Sequence, residues 1–478
     1  MKTNVKILLV GHVTGLGGAD RYMLEQAQLL LKYGYDVECI AFESGSLQST
    51  YKQQKIPCSI CPIINLGEWE IYHLVKKYDF IIVNTMYAVF FAYEAQKYKP
   101  TMLILHDCLS YMKNIFSRTS RTLEELKRIR NLFGVSEYHV DMLKKIGFEN
   151  VRVLNNFVED TYSPTLLEEN NNKVNFLTVA NWNPVKGYDL ALAAFCRLTE
   201  KEKNLIEWHI VGKMEGEGGC VKFQNEAKAE QFIIFHGEIK DKKYLQHRYI
   251  KSDIYFHLSR EDACPLAVVD AAMLQKPMVV SKDTGANYLA QNGAGWIVDE
   301  YNCEDVANII REAMKHKKEF RKMGKLARRN YLANATPEVY IHTLIRECDR
   351  IIKADRTIFN SKQILTNDNS PEKVGTNPKI ALYGYNMYAQ IEYFYHKKSP
   401  IYDLIGIYDM AYESYRKQEM DIKNPEELRT IDFDFICICC VFESTIQTIM
   451  KFLTRMGIPK EKVSVGIKSI LEGAGQKC

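Results

Sequence analysis

The sequence predicts an α/β protein built from two Rossmann-like lobes and a third, small Rossmann-like α/β domain at the C-terminus. Three observations predict it. Short apolar runs rich in Val, Ile and Leu alternate with helical segments in two successive series, separated by the polar stretch LLEENNNK at 166–173. Strand ends lead through Gly- or Pro-bearing turns straight into helices, as in GHVTGLGGADRY, NWNPVKGYD and SREDACPLAVVD. After a second polar stretch the strand-turn-helix pattern starts again at KIALYGYNMYAQIEYFY. The expected domains are a first lobe over 1–165, a second over 174–335, a crossover helix over 336–353, a linker over 354–378 and an accessory unit over 379–478.

A chain of 478 residues, 46% hydrophobic and 26% charged, has enough apolar surface for several cores, which excludes a disordered protein. Its net charge of +4 is too small for this length to imply nucleic acid as a partner. The 13 cysteines are mostly scattered, with Cys437, Cys439 and Cys440 inside an apolar strand-like run, so they are read as buried small hydrophobes in a reducing compartment rather than a metal centre. The first uninterrupted apolar run, Ile7 to Val10, is too short for a signal region or a spanning helix. A cytoplasmic protein is expected, at most lying on the inner face of a membrane.

In the first lobe the strands are KILLV, VECIAF, DFIIVNT, TMLILHD, LFGVS and VRVLNN. Gly15, Gly17 and Gly18 follow the first strand and let backbone N–H groups approach a ligand, with a helix dipole behind them. His106 and Asp107 close the strand TMLILHD, on the edge where open α/β sheets bind ligands. Between Tyr111 and Asn131 a basic amphipathic segment carries Met112, Ile115, Phe116, Leu123, Leu126 and Ile129. Two readings of it stand side by side: a solvated helix face, and contact with a membrane surface.

The second lobe runs VNFLTVA, WHIVGK, FIIFHGEI, SDIYFHL and MVVS. Its central feature is 259–274, SREDACPLAVVDAAML. Pro265 falls where a first helical residue is tolerated without its N–H, and Leu266, Val269, Ala272 and Met273 follow at helical spacing. The N–H groups around Ala263, Cys264, Pro265 and Leu266 then form an anion site, with Asp270 near the second turn as an acceptor for ribose hydroxyls. Asp262 stays in the preceding loop. In the accessory unit the strand ending at Asp409 and the turn at Gly384 outline a dinucleotide fold, but Asn386 and Ala389 stand at its other glycine positions and Tyr385 and Tyr388 crowd the turn, which favours a structural or interaction role over cofactor binding.

Two acids separated by seven residues in this setting resemble the signature of retaining glycosyltransferases of family 4, S-x-x-E-G-F-P-x-x-x-x-E, with Asp262 and Asp270 in place of both Glu. GLGGADRY is similar to that family's GG-A-x-x loop, NWNPVKGYDLALAA to its G-R-L-x-x-x-K-G-x-D-x-L-x-x-A, and GVSEYH and VLNNFVE to its V-S-x-x and I-P-N-G-V-D elements. The departures are Asn181 for Arg, Phe157 for Gly and GANYL for G-G-x-x-E. The resemblance covers about the first 350 residues and implies a GT-B fold with a nucleoside diphosphate sugar as donor, no cofactor and no metal. It places Lys186, Gly187, Asn181, Gly17, Gly18 and the helix start at 263–266 on the donor diphosphate and Asp270 on the ribose. Asp262 and His106 would lie near the transferred sugar, and Glu261 is long enough to stand in for the shortened acid. A glycan or lipid-linked acceptor would meet the first lobe. The rival expectations are a catalytically worn partner subunit and a sugar-nucleotide epimerase.

Overall fold

A computed structural model describes residues 5–15, 17–61, 68–112, 120–163, 173–216, 218–363, 378–384, 402–416, 421–439 and 443–465. The apolar runs become strands buried on both faces, as parallel strands under helices must be. In the first lobe β1 (Lys6–Val13), β2 (Asp36–Glu43), β3 (Cys58–Ile60), β4 (Phe80–Val83), β5 (Thr101–Leu105), β6 (Leu132–Gly134) and β7 (Val151–Val153) form one sheet in the order β3-β2-β1-β4-β5-β6-β7. Every pairing in it is parallel. The short edge strand β3 is not expected from the sequence, because its run CSI sits between Pro57 and Pro62, which argue against a strand.

The second lobe repeats the plan with β8 (Val174–Val179), β9 (Ile206–Val211), β10 (Ile233–Gly237), β11 (Ile254–His257), β12 (Met278–Ser281) and β13 (Gly295–Val298). Its parallel sheet runs β10-β9-β8-β11-β12-β13. Strand order reverses between β1 and β4 in one sheet and between β8 and β11 in the other. Such reversals open a crevice at the carboxyl ends of the strands, and the loops carrying the sequence motifs leave from there.

One hydrophobic cluster joins the lobes, taking in Tyr22, Phe157, Cys264, Leu266 and Tyr340. Tyr340 lies on the crossover helix Pro337–Gln363. Its hydroxyl accepts a bond from Tyr22 Oη at 2.7 Å and from Gln26 Nε2 at 2.6 Å, and its ring stacks on Phe157 with centroids 4.2 Å apart. Phe157, which replaces a motif glycine, thus supplies a packing surface for the helix that returns to the first lobe. The same helix continues through 354–363, residues expected to open a linker. Arg130 of the first lobe reaches the buried Asp355 at 3.2 Å there, a tie over 225 positions that local composition does not show.

In the segment 111–131, Met112, Leu126 and Ile129 are buried in the first-lobe core and Leu123 packs on it. The described apolar positions therefore face inward; Ile115 and Phe116 lie outside the described residues. Among the described residues no helix is long and apolar enough to cross a membrane. Near the C-terminus β14 (Lys379–Tyr383), β15 (Asp403–Tyr408), β16 (Phe435–Ile438) and β17 (Val463–Val465) make a separate parallel sheet in the order β15-β14-β16-β17. Tyr385, Asn386, Tyr388 and Ala389 fall outside the described residues.

Candidate active site

The loop after β11 is pinned from several sides before the helix begins. Arg260 N donates to Val185 O at 2.7 Å, Asp262 N to Asp283 O at 3.0 Å, and Gly285 N to Asp262 O at 2.8 Å. A Cβ on Gly285 would lie 1.8 Å from Ala263 O, so only glycine lets the two loops meet. The helix spans Leu266–Met273, and Pro265 is its N-cap in extended conformation rather than its first residue. Proline lacks a side-chain acceptor, so no side chain caps the first turn.

Two first-lobe side chains hold the loop entering that helix. Ser136 Oγ donates to Ala263 O at 2.6 Å, and Asn156 Nδ2 donates to Cys264 O at 2.9 Å. Both come from elements quoted for their family resemblance, and both act across the crevice. Glu261 does the same in reverse: its two carboxylate oxygens accept the Ser110 N–H, each at 3.1 Å. Glu261 therefore faces the first lobe and does not take the place of Asp262, because adjacent loop residues project in different directions.

Asp262 is 7% exposed. Its Oδ2 accepts from Lys186 Nζ at 2.5 Å and lies 3.3 Å from His257 Nε2. Burial pushes the carboxyl pKa up, but the Lys186 ammonium and the His257 hydrogen bond outweigh it and hold the group at about 2. Lys186 in turn stays firmly protonated: burial opposes its charge and Asp262 restores it. Gly187 follows with φ +70°, and a Cβ there would sit 2.1 Å from Leu258 O. The turn that presents Lys186 thus needs its glycine.

The other motif acid has a different setting. Asp270 is 8% exposed and takes a bidentate pair from Arg21, with Nη1 to Oδ2 at 2.8 Å and Nη2 to Oδ1 at 3.1 Å. Arg21 also donates from Nε to Glu25 at 2.9 Å. Beside this pair lies a cavity of about 310 Å³ lined by Arg21, Lys242, Leu245, Tyr249, Asp270 and Leu274. A carboxylate offers about four acceptor positions, so two remain after Arg21 is served.

His106 is brought to the same crevice and is partly buried, edge-on to Tyr22 with ring centroids 4.6 Å apart. Burial, with His139 nearby, lowers its pKa to about 3, so the ring is neutral. Its Nε2 is buried without a hydrogen-bond partner among the described residues. Asn181 is exposed and its Oδ1 accepts from Lys213 N at 2.9 Å, which spends it on the neighbouring loop. Gly17 caps the helix Gly18–Lys32. Its N–H goes to Asp20 Oδ2 at 3.2 Å, so this loop folds around its own carboxylate.

Sequence reasoning missed two of these residues. Arg21 was seen only as a neighbour of Asp20, although a cation straight after a Gly-rich turn is a signal for an anionic partner. His257 was read as part of an apolar strand, where a lone polar side chain five residues before an acid was the available sign.

The comparisons agree with this fold. Residues 16–162 match the family described as Glycosyltransferase Family 4, and residues 164–330 match Glycosyl transferases group 1. A curated relative, the poly(ribitol-phosphate) alpha-N-acetylglucosaminyltransferase of Staphylococcus aureus, is 19% identical over 45% of this chain. The match spans 43% of that relative's own length. Among solved structures, Anabaena HepE in complex with UDP and glucose is 18% identical with a TM-score of 0.61, over 72% of this chain and 99% of that one. S. aureus TarM in complex with fondaparinux, alpha-GlcNAc-glycerol and UDP is 12% identical with a TM-score of 0.55, over 72% and 99%. Two parallel sheets meeting at their switch points, each matched to a glycosyltransferase family in chain order, give this chain a GT-B glycosyltransferase fold.

Proposed function

We propose that the protein transfers a sugar from a nucleoside diphosphate sugar to a hydroxyl group of a glycan or lipid-linked acceptor, with retention of anomeric configuration and without a metal ion. The observation that carries this reading is the Lys186–Asp262 pair, set at the uncapped start of the helix Leu266–Met273 in the crevice between the lobes. The donor diphosphate sits against the N–H groups around Ala263, Cys264, Pro265 and Leu266, where a helix end favours negative charge. Lys186 supplies the fixed cation, and Gly187 lets it approach. Asp270 accepts the ribose hydroxyls beside Arg21, and the adjoining cavity is of the size class of small-ligand sites. That UDP is bound in the HepE and TarM structures supports a UDP-sugar donor.

In the transfer, the bond from the sugar's anomeric carbon to the diphosphate oxygen breaks and the diphosphate leaves with the electron pair. The acceptor oxygen bonds to that carbon and gives up its proton to the departing phosphate. Most of the acceleration comes from charge stabilisation of the leaving group by Lys186 and the helix start, in a crevice where water is excluded. Asp262 lies under the sugar. Neutral His106 borders the same space, and its bare Nε2 is available to a sugar or acceptor hydroxyl. Gly17 and Gly18 back the diphosphate from the first lobe, while Asn181 contributes by holding the loop at Lys213 in place. Glu261 keeps the lobes in register through Ser110.

The test is nucleoside diphosphate release from a panel of UDP- and GDP-sugars, with and without saccharide acceptors. Slow release alone, accelerated by an acceptor, is expected. A non-catalytic partner releases nothing, and an epimerase converts one sugar nucleotide into another without release.

A further inference from the structure

The reading above leaves His257 without a task. It ends β11, is 2% exposed, and its ring lies nearly parallel to that of Tyr255, two positions earlier on the same face of the strand, with centroids 6.2 Å apart. Its Nε2 and the Lys186 ammonium converge on one oxygen of Asp262. The two contacts are unequal. At 2.5 Å Lys186 dominates, while 3.3 Å is beyond the usual range for an N–H donor to oxygen.

Lys186 is nevertheless required twice, by Asp262 before the donor arrives and by the diphosphate afterwards. A buried carboxylate whose only cation turns away is strongly destabilised unless another donor remains. We infer that His257 is a positioning residue, donating its Nε2–H to Asp262 so that this shortened acid stays oriented beneath the transferred sugar when Lys186 is drawn to the diphosphate. This rests on the proposed role of Asp262.

Three observations carry the inference. The Asp262 carboxylate, one methylene shorter than the Glu of the family pattern, has its Oδ2 3.3 Å from the Nε2 of a side chain at the strand end. Burial keeps the imidazole neutral, so it steadies Asp262 without adding a second cation to compete with Lys186 for the donor. Finally, the ring is held by enclosure, which leaves it in place when Lys186 moves.

The experiment compares His257→Leu with His257→Gln, whose amide reaches about as far as Nε2. With the sugar nucleotide that the wild type hydrolyses fastest, His257→Leu lowers kcat by about 10- to 100-fold, the scale of a misplaced group, and leaves the donor KM within about threefold. His257→Gln recovers most of the loss. Equal kcat in wild type and His257→Leu overturns the inference, as does a Gln variant no better than Leu. A histidine nitrogen NMR spectrum, with the His257 signals identified by their loss in His257→Gln, adds a readout that needs no turnover. The expected tautomer carries its proton on Nε2, and that signal shifts when UDP is added. A proton on Nδ1 overturns the inference alone, whereas a wild type that turns over no sugar nucleotide overturns the functional reading and the inference with it.

Discussion

Asp262 and Asp270 are the same residue type, with seven residues between them in one motif and almost equally buried, yet they are held in opposite ways. Asp262 is paired inside its own lobe, by Lys186 from the loop after β8 and by His257 from β11. Asp270 is paired across the crevice, by Arg21 of the first lobe, 249 positions away in the chain. The first acid is therefore part of the second lobe's own stability. The second reports on how the lobes meet, so a donor that engages its ribose through Asp270 also senses Arg21.

The largest expected difference comes from removing each cation. Lys186→Ala leaves Asp262 with one neutral donor, and it should destabilise the second lobe by about 3 kcal/mol, the low end for breaking a buried pair because Lys186 is partly exposed. Thermal unfolding measures this, and donor binding should be lost with it. If Lys186→Ala unfolds like the wild type, Asp262 is not locked within its lobe.

A smaller effect follows from pH. The Asp262 carboxyl falls from 3.8 to about 2 on folding, so the folded state binds its proton less readily than the unfolded chain. Its contribution, about 2 kcal/mol, is fully present above roughly pH 4 and is lost as pH falls through 2. Unfolding free energy measured from pH 6 down to pH 3 should decline less steeply in Asp262→Asn than in the wild type, and parallel slopes would contradict the pairing.

The smallest effect on stability is expected for Arg21→Met, about 1 kcal/mol: the two cations are equally exposed, but Arg21 and Asp270 sit on different lobes, so the lobes can part and return Asp270 to water while each keeps its core. Its signature is shape: small-angle scattering should show a broader spread of lobe arrangements, narrowed again by UDP. A loss of stability matching Lys186→Ala would erase the distinction between the two acids.

Much of the fold could be read from the chain because strands buried on both faces are continuous apolar runs, and because helix starts after strands carry Gly, Pro and acids at set places. That reading located the turn at Gly187 and the loop carrying Asp262. It went astray where local pattern is weak or ambiguous. Edge strand β3 is flanked by Pro57 and Pro62, the crossover helix outruns its apolar stripe by docking Asp355 on Arg130, and Pro265 satisfies a cap as readily as a first helical position. The apolar face of 111–131 has a pattern that suits a core as well as a membrane; burial of Met112, Leu126 and Ile129 decided for the core over the described part.

The order of residues by itself determined the strands, the helices and the loops in which charged side chains stand, since these depend on neighbours within a few positions. Which partner each charge takes was decided only by the tertiary structure. Glu261 turning to Ser110, Asp270 to Arg21 and Asn156 to Cys264 all depend on where two sheets bring distant loops together. Hydrogen bonds reach only about 3 Å, and no local pattern resolves position to that length.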